Sequence, residues 1–405
     1  VLFRSPETPG NVCPGDAPVK NFNVVAVDRP MKLHPKAPDA IEVDFERKIE
    51  MTIPEGKIFM LEDEAARTAA DAMPHPLTLR VNLGDCVKVN LKNKMKASKA
   101  SFFAPGMAFD PKDSQGLNVG NNGGDQTVAP GGSRTYTYYA HPANKETTSL
   151  VWDGGNIVTN PRNGLYGAII VGPRGSQYRD PVTGQDVSEK NTWRADVIVD
   201  RSLSENAGKA NYRDVALFFQ DEDNIIGTAF MPYVQNVAGL TSVNYRAEPY
   251  KFREEQGCGL DKVFMPCKVD KPEDPVTPLI EAHAGDAVRI HVIGANSEQN
   301  GMFSVEGHEW PIEPYMPGAD QISVVEYAGS ETLDVFLRGG AGGPARLTGD
   351  FVWSNQRLPY TQSGQWGYLR VLPASDSRIQ PLSKGAAGRH ADAAPEGQAI
   401  PTALK

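Results

Sequence analysis

The sequence predicts an all-β protein built from two tandem, homologous domains, and three observations carry that prediction. The first is composition: 39 Gly and 32 Pro punctuate many short apolar runs, while long amphipathic stretches are few. The second is alternation, clearest where Val87, Val89 and Leu91 interleave with Lys88, Asn90 and Lys92, the pattern of a half-buried strand. The third is an internal repeat. Leu83-Gly84-Asp85-Cys86-Val87-Lys88-Val89 returns as Ala284-Gly285-Asp286-Ala287-Val288-Arg289-Ile290. Gly131-Gly132-Ser133-Arg134-Thr135 returns as Ala328-Gly329-Ser330-Glu331-Thr332, and Gly164-Leu165-Tyr166-Gly167 as Gly364-Gln365-Trp366-Gly367. Each block recurs about 200 residues on and in the same order, which duplication of one β domain explains and chance does not.

Taken in order, residues 1–19 read as an irregular Pro/Gly-rich lead-in held by Cys13. The first domain is assigned to 20–175. It opens on the apolar run Phe22–Leu33, carries its best helix candidate at Glu62–Ala72, and continues as strand–turn–strand over Thr78–Asn93. Residues 176–204 are polar, with Asp-Pro and Thr-Gly turns, and read as a linker containing strand-like Ala195–Asp200. The second domain is assigned to 205–375. Beyond it, 376–405 is small, polar and Pro/Gly-interrupted, which predicts a flexible tail or an extended arm along a neighbour.

A formal net charge of −9 without a Lys/Arg cluster argues against nucleic acid and anionic membrane surfaces. No apolar run approaches a membrane span. Of the four cysteines, Cys258 and Cys267 are close enough in sequence to close a small loop, which would leave Cys13 for Cys86. Two other pairings, and four buried free thiols, remain as alternatives. Two disulfides would place the chain outside the cytoplasm: periplasmic, cell-surface or secreted. The chain opens on Val with no signal-peptide pattern, which leaves the compartment to the cysteines. Hydrolase elbows, P-loops and dinucleotide-binding glycine patterns are absent, and no catalytic residue stands out.

Several stretches together resemble the multicopper oxidase family, over roughly 75–175 and 275–375. PGGSRTYTYYAH is similar to that family's strand ending in His-x-His, and GLYGAIIVGP to the closing strand of its first domain. GMFSVEGHEW resembles its His-rich segment, and the stretch from Gly349 to Gly367 its C-terminal copper loop. The resemblance implies two cupredoxin-like Greek-key β-sandwich or barrel domains. It places copper ligands at Phe103, Pro105, Tyr139, His141, Gly301, Ser304, Glu306, Ser354, Asn355, Gln356, Tyr360 and Gln365. Only His141 among them is a usual copper ligand. The family's electron transfer to oxygen is therefore not expected, and no cofactor is.

The leading expectation is thus a non-catalytic, extracytoplasmic structural or accessory subunit, with a cytochrome-containing redox assembly as a setting suggested by fold analogy. The alternative is a divergent copper- or other metal-dependent oxidoreductase with a remodelled site at His141, Glu306 or the Asp/Asn loop. A small-molecule binder using the vacated copper cavity is a third reading. Two-domain relatives commonly form homotrimers, so self-association is implied too. His141 beside Tyr138 and Tyr139 reads more readily as a hydrogen-bonded histidine than as a ligand. Asp110, Asp113, Asn118 and Asp125, in FDPKDSQGLNVGNNGGD, offer oxygens for calcium, although such runs more often make turns. His291 reads as an ordinary sheet position, and Asp221, Glu222 and Asp223 as a solvated loop face.

Overall fold

The computed structural model describes residues 12–43, 47–69, 72–223, 237–266 and 273–382. In the first half a five-stranded sheet runs Lys57–Leu61, Val19–Asp28, Cys86–Asn93, Ser133–Tyr139, Ala108–Phe109. It shares a core with a three-stranded sheet of Thr147–Val151, Gly167–Gly172 and Leu77–Asn82. The strands flanking Gly84 thus enter opposite sheets, and the turn between them needs a left-handed residue (φ 91°).

The second half repeats the plan. Tyr212–Asp223 runs parallel to Val288–Asn296, as Val19–Asp28 does to Cys86–Asn93. Ile280–His283 runs parallel to Trp366–Leu372, as Leu77–Asn82 does to Gly167–Gly172. Gly285 repeats the left-handed turn of Gly84 (φ 85°). The sequence repeat is therefore a repeat of topology, and each half is a cupredoxin-like β sandwich.

A third core lies between the halves and explains why several strands are apolar without a break. Side chains alternate across a strand. Ile169 and Val171 point into the first core while Ala168 and Ile170 point into the middle one. Likewise Leu217 and Phe219 face the second core, and Ala216 and Phe218 the middle one. Strands buried on both faces read as continuous hydrophobic runs. The halves are also joined through the backbone, because Lys48–Glu50 pairs parallel with Gly239–Val243 and carries Ala40–Glu42 on its outer edge.

Four expectations change. The helix at Glu62 spans only Glu62–Ala65, buries none of its residues, and ends in a tight turn in which Arg67 N–H donates to Glu64 O (2.9 Å). Polar segment 176–204 is not a free connection: Gln177–Arg179 and Arg194–Ile198 are strands hydrogen-bonded into the sheet of the second half. Asp221 and Glu222 lie on the strand Tyr212–Asp223, and Asp221 is buried. The start of the expected tail packs on its own chain, with Ile379 buried and the Gln380 carbonyl accepting from Arg213 Nη2 (2.7 Å). Residues 383–405 lie outside the described residues.

Cys13 and Cys86 form a disulfide that ties the lead-in to the first sheet. Cys258 is also disulfide-bonded. Cys267, its expected partner, lies outside the described residues.

Candidate functional site

Four of the positions where the resemblance places copper ligands, Asn355, Tyr360 and Gln365 of the C-terminal loop and Gly301 of the strand Gly301–Val305, surround one buried spot, and hydrogen bonds among polar side chains fill it. Asn355, at the end of the strand Gly349–Asn355, is 1% exposed. Its Oδ1 accepts from Met302 N–H (3.0 Å) and Arg357 N–H (3.1 Å). Its Nδ2 donates to Gln365 Oε1 (2.8 Å) and Tyr327 Oη (3.2 Å). Both lone pairs and both protons of the amide are committed. Gln365 Nε2 in turn donates to the Gln220 carbonyl (2.9 Å). Gln220 sits just after a β-bulge in its strand and receives Tyr166 Oη from the first half (2.9 Å). At Gly301, a side chain of any size would collide with the Tyr327 ring, whose nearest atom lies 2.1 Å from an added Cβ. Tyr360 Oη reaches Asp221 (3.4 Å).

The other positions separate into two groups. Gln356 Nε2 donates to Ser304 Oγ (2.6 Å) and Ser354 Oγ (3.1 Å), and Glu306 accepts from Val352 N–H (3.3 Å). Ser304, Glu306 and Gln356 line a depression of about 450 Å³ together with His308 and Arg338. In the first half, Phe103 is bridged to Trp152, Pro105 is exposed, and His141 stacks edge-on against Tyr139 (5.5 Å). The His141 Nδ1 accepts from Ala143 N–H (3.1 Å), so the imidazole caps a short 3₁₀ turn.

In the Asp/Asn loop the carboxylates face the chain's own donors. Asp125 pairs with Lys99 (2.7 Å) and accepts from Asn118 Nδ2 (3.0 Å) and Thr127. The Lys99 contact, then those from Thr127 and Asn118, hold its carboxyl well below the usual range. Asp113 pairs with Arg134 (3.3 Å), and Asp110 accepts from Lys112 N–H (2.8 Å). Among the described residues, no group of three or more His, Cys, Asp or Glu is arranged to hold a metal ion.

The largest feature that the sequence reading missed is a buried charge network between the halves. Arg80 Nε, from the first half, donates to Asp214 Oδ2 (2.8 Å). His291 bridges two carboxylates, with Nε2 at 2.6 Å from Asp214 Oδ1 and Nδ1 at 2.6 Å from Asp334 Oδ1. Arg289 donates to Asp334 Oδ2 (2.6 Å) and approaches Glu146 of the first half (3.5 Å). Thr148, also of the first half, lies 2.7 Å from His291 Nδ1. Burial pushes Asp214 upward, but the charges of His291 and Arg80 prevail and hold it well below the usual carboxylate range. Burial likewise opposes Asp334, and Arg289 and His291 overcome it. For His291 burial works against protonation, yet Asp214 and Asp334 outweigh it and raise its pKa. With two ionised carboxylates at its two nitrogens, His291 is an imidazolium donating to both. It is a charged bridge, not the plain sheet position expected. The available signal was a charged residue inside each apolar strand: Arg80 in LTLRVN, and Arg289 and His291 in VRIHVI.

No protein-family profile matches the sequence, and no curated protein matches it. Solved structures match its fold. The blue copper oxidase from Nitrosomonas europaea aligns at 16% identity over 87% of this chain and 86% of that one, with TM-score 0.51. The copper nitrite reductase from the same organism aligns at 13% identity over 91% and 98%, with TM-score 0.52. The multicopper oxidase mgLAC aligns at 14% identity over 88% of both chains, with TM-score 0.51. The fold thus defines a two-domain cupredoxin-type protein. More narrowly, its two-domain fold is like that of these copper proteins, and residues other than usual copper ligands stand at nearly all of the positions where the resemblance places such ligands.

Two outcomes follow from these geometries. Replacing Arg80 by Met leaves Asp214 buried without its guanidinium, so chemical denaturation should show a loss of about 3–5 kcal/mol. Asp221 behaves oppositely. Burial raises its carboxyl to about 6 despite hydrogen bonds from Ser297 and Glu298. A raised carboxyl favours the fold while protonated. That contribution declines as pH climbs from the ordinary value of 3.8 to about 6, and it is absent above. Asp221→Asn should therefore stabilise the protein by on the order of 2 kcal/mol at pH 8 and by little at pH 4, as read by thermal unfolding.

Proposed function

We propose that this chain is a non-catalytic, multicopper-oxidase-like protein acting outside the cytoplasm as a structural or accessory subunit. The observation that carries the reading is Asn355. It stands where the resemblance places the copper thiolate, and all its hydrogen-bonding capacity is spent inside the protein. Carboxamide, hydroxyl and phenol groups are poor partners for copper, which favours thiolate and imidazole. The residues at this spot do not fit the metal.

The compartment is supported by the Cys13–Cys86 disulfide. Among the described residues no helix is long and apolar enough to cross a membrane. Self-association, as a homotrimer or within a cytochrome-containing redox assembly, is the partner side of the proposal. Exposed Met302, Val324 and Leu358, on or beside the segments that line the Ser304–Gln356 depression, are its support.

Metal analysis of natively purified protein, with a visible spectrum after oxidation, tests this reading. Substoichiometric copper and a colourless solution are expected. Stoichiometric copper that disappears in His141→Ala would overturn it in favour of a metal-dependent oxidoreductase with a remodelled site. Stoichiometric calcium lost in Asp125→Ala would reassign the Asp/Asn loop as a cation site.

A further inference from the structure

The two halves differ at one pair of equivalent charges. In the second half Asp286 accepts from His283 N–H (2.9 Å) and closes on Arg213, whose Nε and Nη2 donate to it at 3.0 and 2.8 Å. Arg213 stands opposite Val288 in its strand pair. In the first half Asp85 makes the same turn contact, accepting from Asn82 N–H (2.8 Å). Lys20 stands opposite Val87, the repeat equivalent of Val288. Here the pair does not close. Neither Lys20 nor Asp85 has an ion-pair partner among the described residues, and a cavity of about 420 Å³ opens beside them.

Asp85 is 4% exposed, and the Asn82 N–H is the only hydrogen bond to its carboxylate among the described residues. Tyr139, 8% exposed, lines the same cavity, and its hydroxyl has no partner among the described residues. Neither the open oxygen of Asp85 nor that hydroxyl is sealed from solvent, so both are reached from the cavity. Burial raises the Asp85 carboxyl, against the Asn82 N–H and the charges of Lys20 and Arg174. Arg174 lies against Gly84, where an added Cβ would meet its Nη2 at 2.9 Å. Its ion-pair contact, Glu205 at 3.6 Å, is beyond hydrogen-bond reach.

A buried carboxylate with an open oxygen is costly, and a cationic donor matches it, as Arg213 does in the second half. The two cations at the same cavity are matched by an anionic group. A pure anion would meet Asp85 and Asp16, and a pure cation Lys20 and Arg174, so like charges disfavour both. A ligand carrying both charges satisfies each wall. Pro14, Pro18 and Leu83 leave apolar surface for a small body, and the volume suits a single amino acid.

We propose that this cavity binds a free α-amino acid with an apolar side chain, its ammonium on Asp85 and its carboxylate held by Lys20, Arg174 and the Tyr139 hydroxyl. Tyr139 is a position that the resemblance assigns to copper. The proposal does not rest on the subunit role above.

Calorimetric titration of the full chain with L-leucine tests it. N-acetylleucine, which lacks the ammonium, and leucinamide, which lacks the carboxylate, are the comparators. Saturable leucine binding is expected, with each comparator weaker by about tenfold or more, the loss of a charge-assisted hydrogen bond. Asp85→Asn keeps an oxygen for the Asn82 N–H. It should therefore leave the thermal unfolding midpoint near the parent value while weakening leucine by a similar factor. Lys20→Met, at a half-buried position, removes the opposite charge and should weaken leucine as well. No saturable leucine binding, either comparator binding as tightly as leucine, or leucine affinity unchanged in either variant would overturn the proposal.

Discussion

The structure depends on the charged bridge Arg80–Asp214–His291–Asp334–Arg289 being complete. Its members come from both halves and lie in or beside the face where the halves meet. Burying any one of them alone would be strongly unfavourable; together, with Glu146 and a protonated His291, three positive groups meet three negative ones. Such a network is poor evidence for net stability, since a well-packed apolar patch could serve as well. What it does impose is register, because the salt bridges close only when the strands Leu77–Asn82 and Val288–Asn296 meet Tyr212–Asp223 in one relative position. The apolar middle core supplies most of the burial, and the charges select the arrangement.

The amide network at Asn355 works by the same logic at the other end of that interface. It begins in the loop where the resemblance places copper and runs through Gln365 and Gln220 to Tyr166 of the first half. A metal centre fixes several loops by coordination; here shared protons between amides and phenols fix them. The Tyr327 ring over Gly301 fills volume that a larger residue there would need. The side chains at these positions are thus mutually consistent, with the Asn355 amide fully hydrogen-bonded inside the protein and Gln365 joined to it.

Much of this was legible in the sequence and some was not. The duplication could be read because Gly84 and Gly285 mark the same obligatory left-handed turn, and turn chemistry survives divergence. The two-sided burial of Gly167–Gly172 was written in its unbroken apolar run. The positions around Asn355 were legible as positions, but their hydrogen bonds were not, because Gln220, Tyr166 and Tyr327 are remote in sequence. His291 was misread for a related reason. Alternation gives the face of a strand but not what lies across it, and Asp214 and Asp334 approach from other strands. Asp221 looked like surface because charge usually is; it is buried because its strand extends to the Gly239–Val243 pairing.

Differential scanning calorimetry of the full chain tests most directly whether the two halves are one cooperative unit joined by this bridge. The account predicts a single transition with calorimetric and van't Hoff enthalpies in agreement, moved to lower temperature as a whole in Asp214→Asn. Two resolved transitions, with Asp214→Asn shifting only one of them, would contradict it.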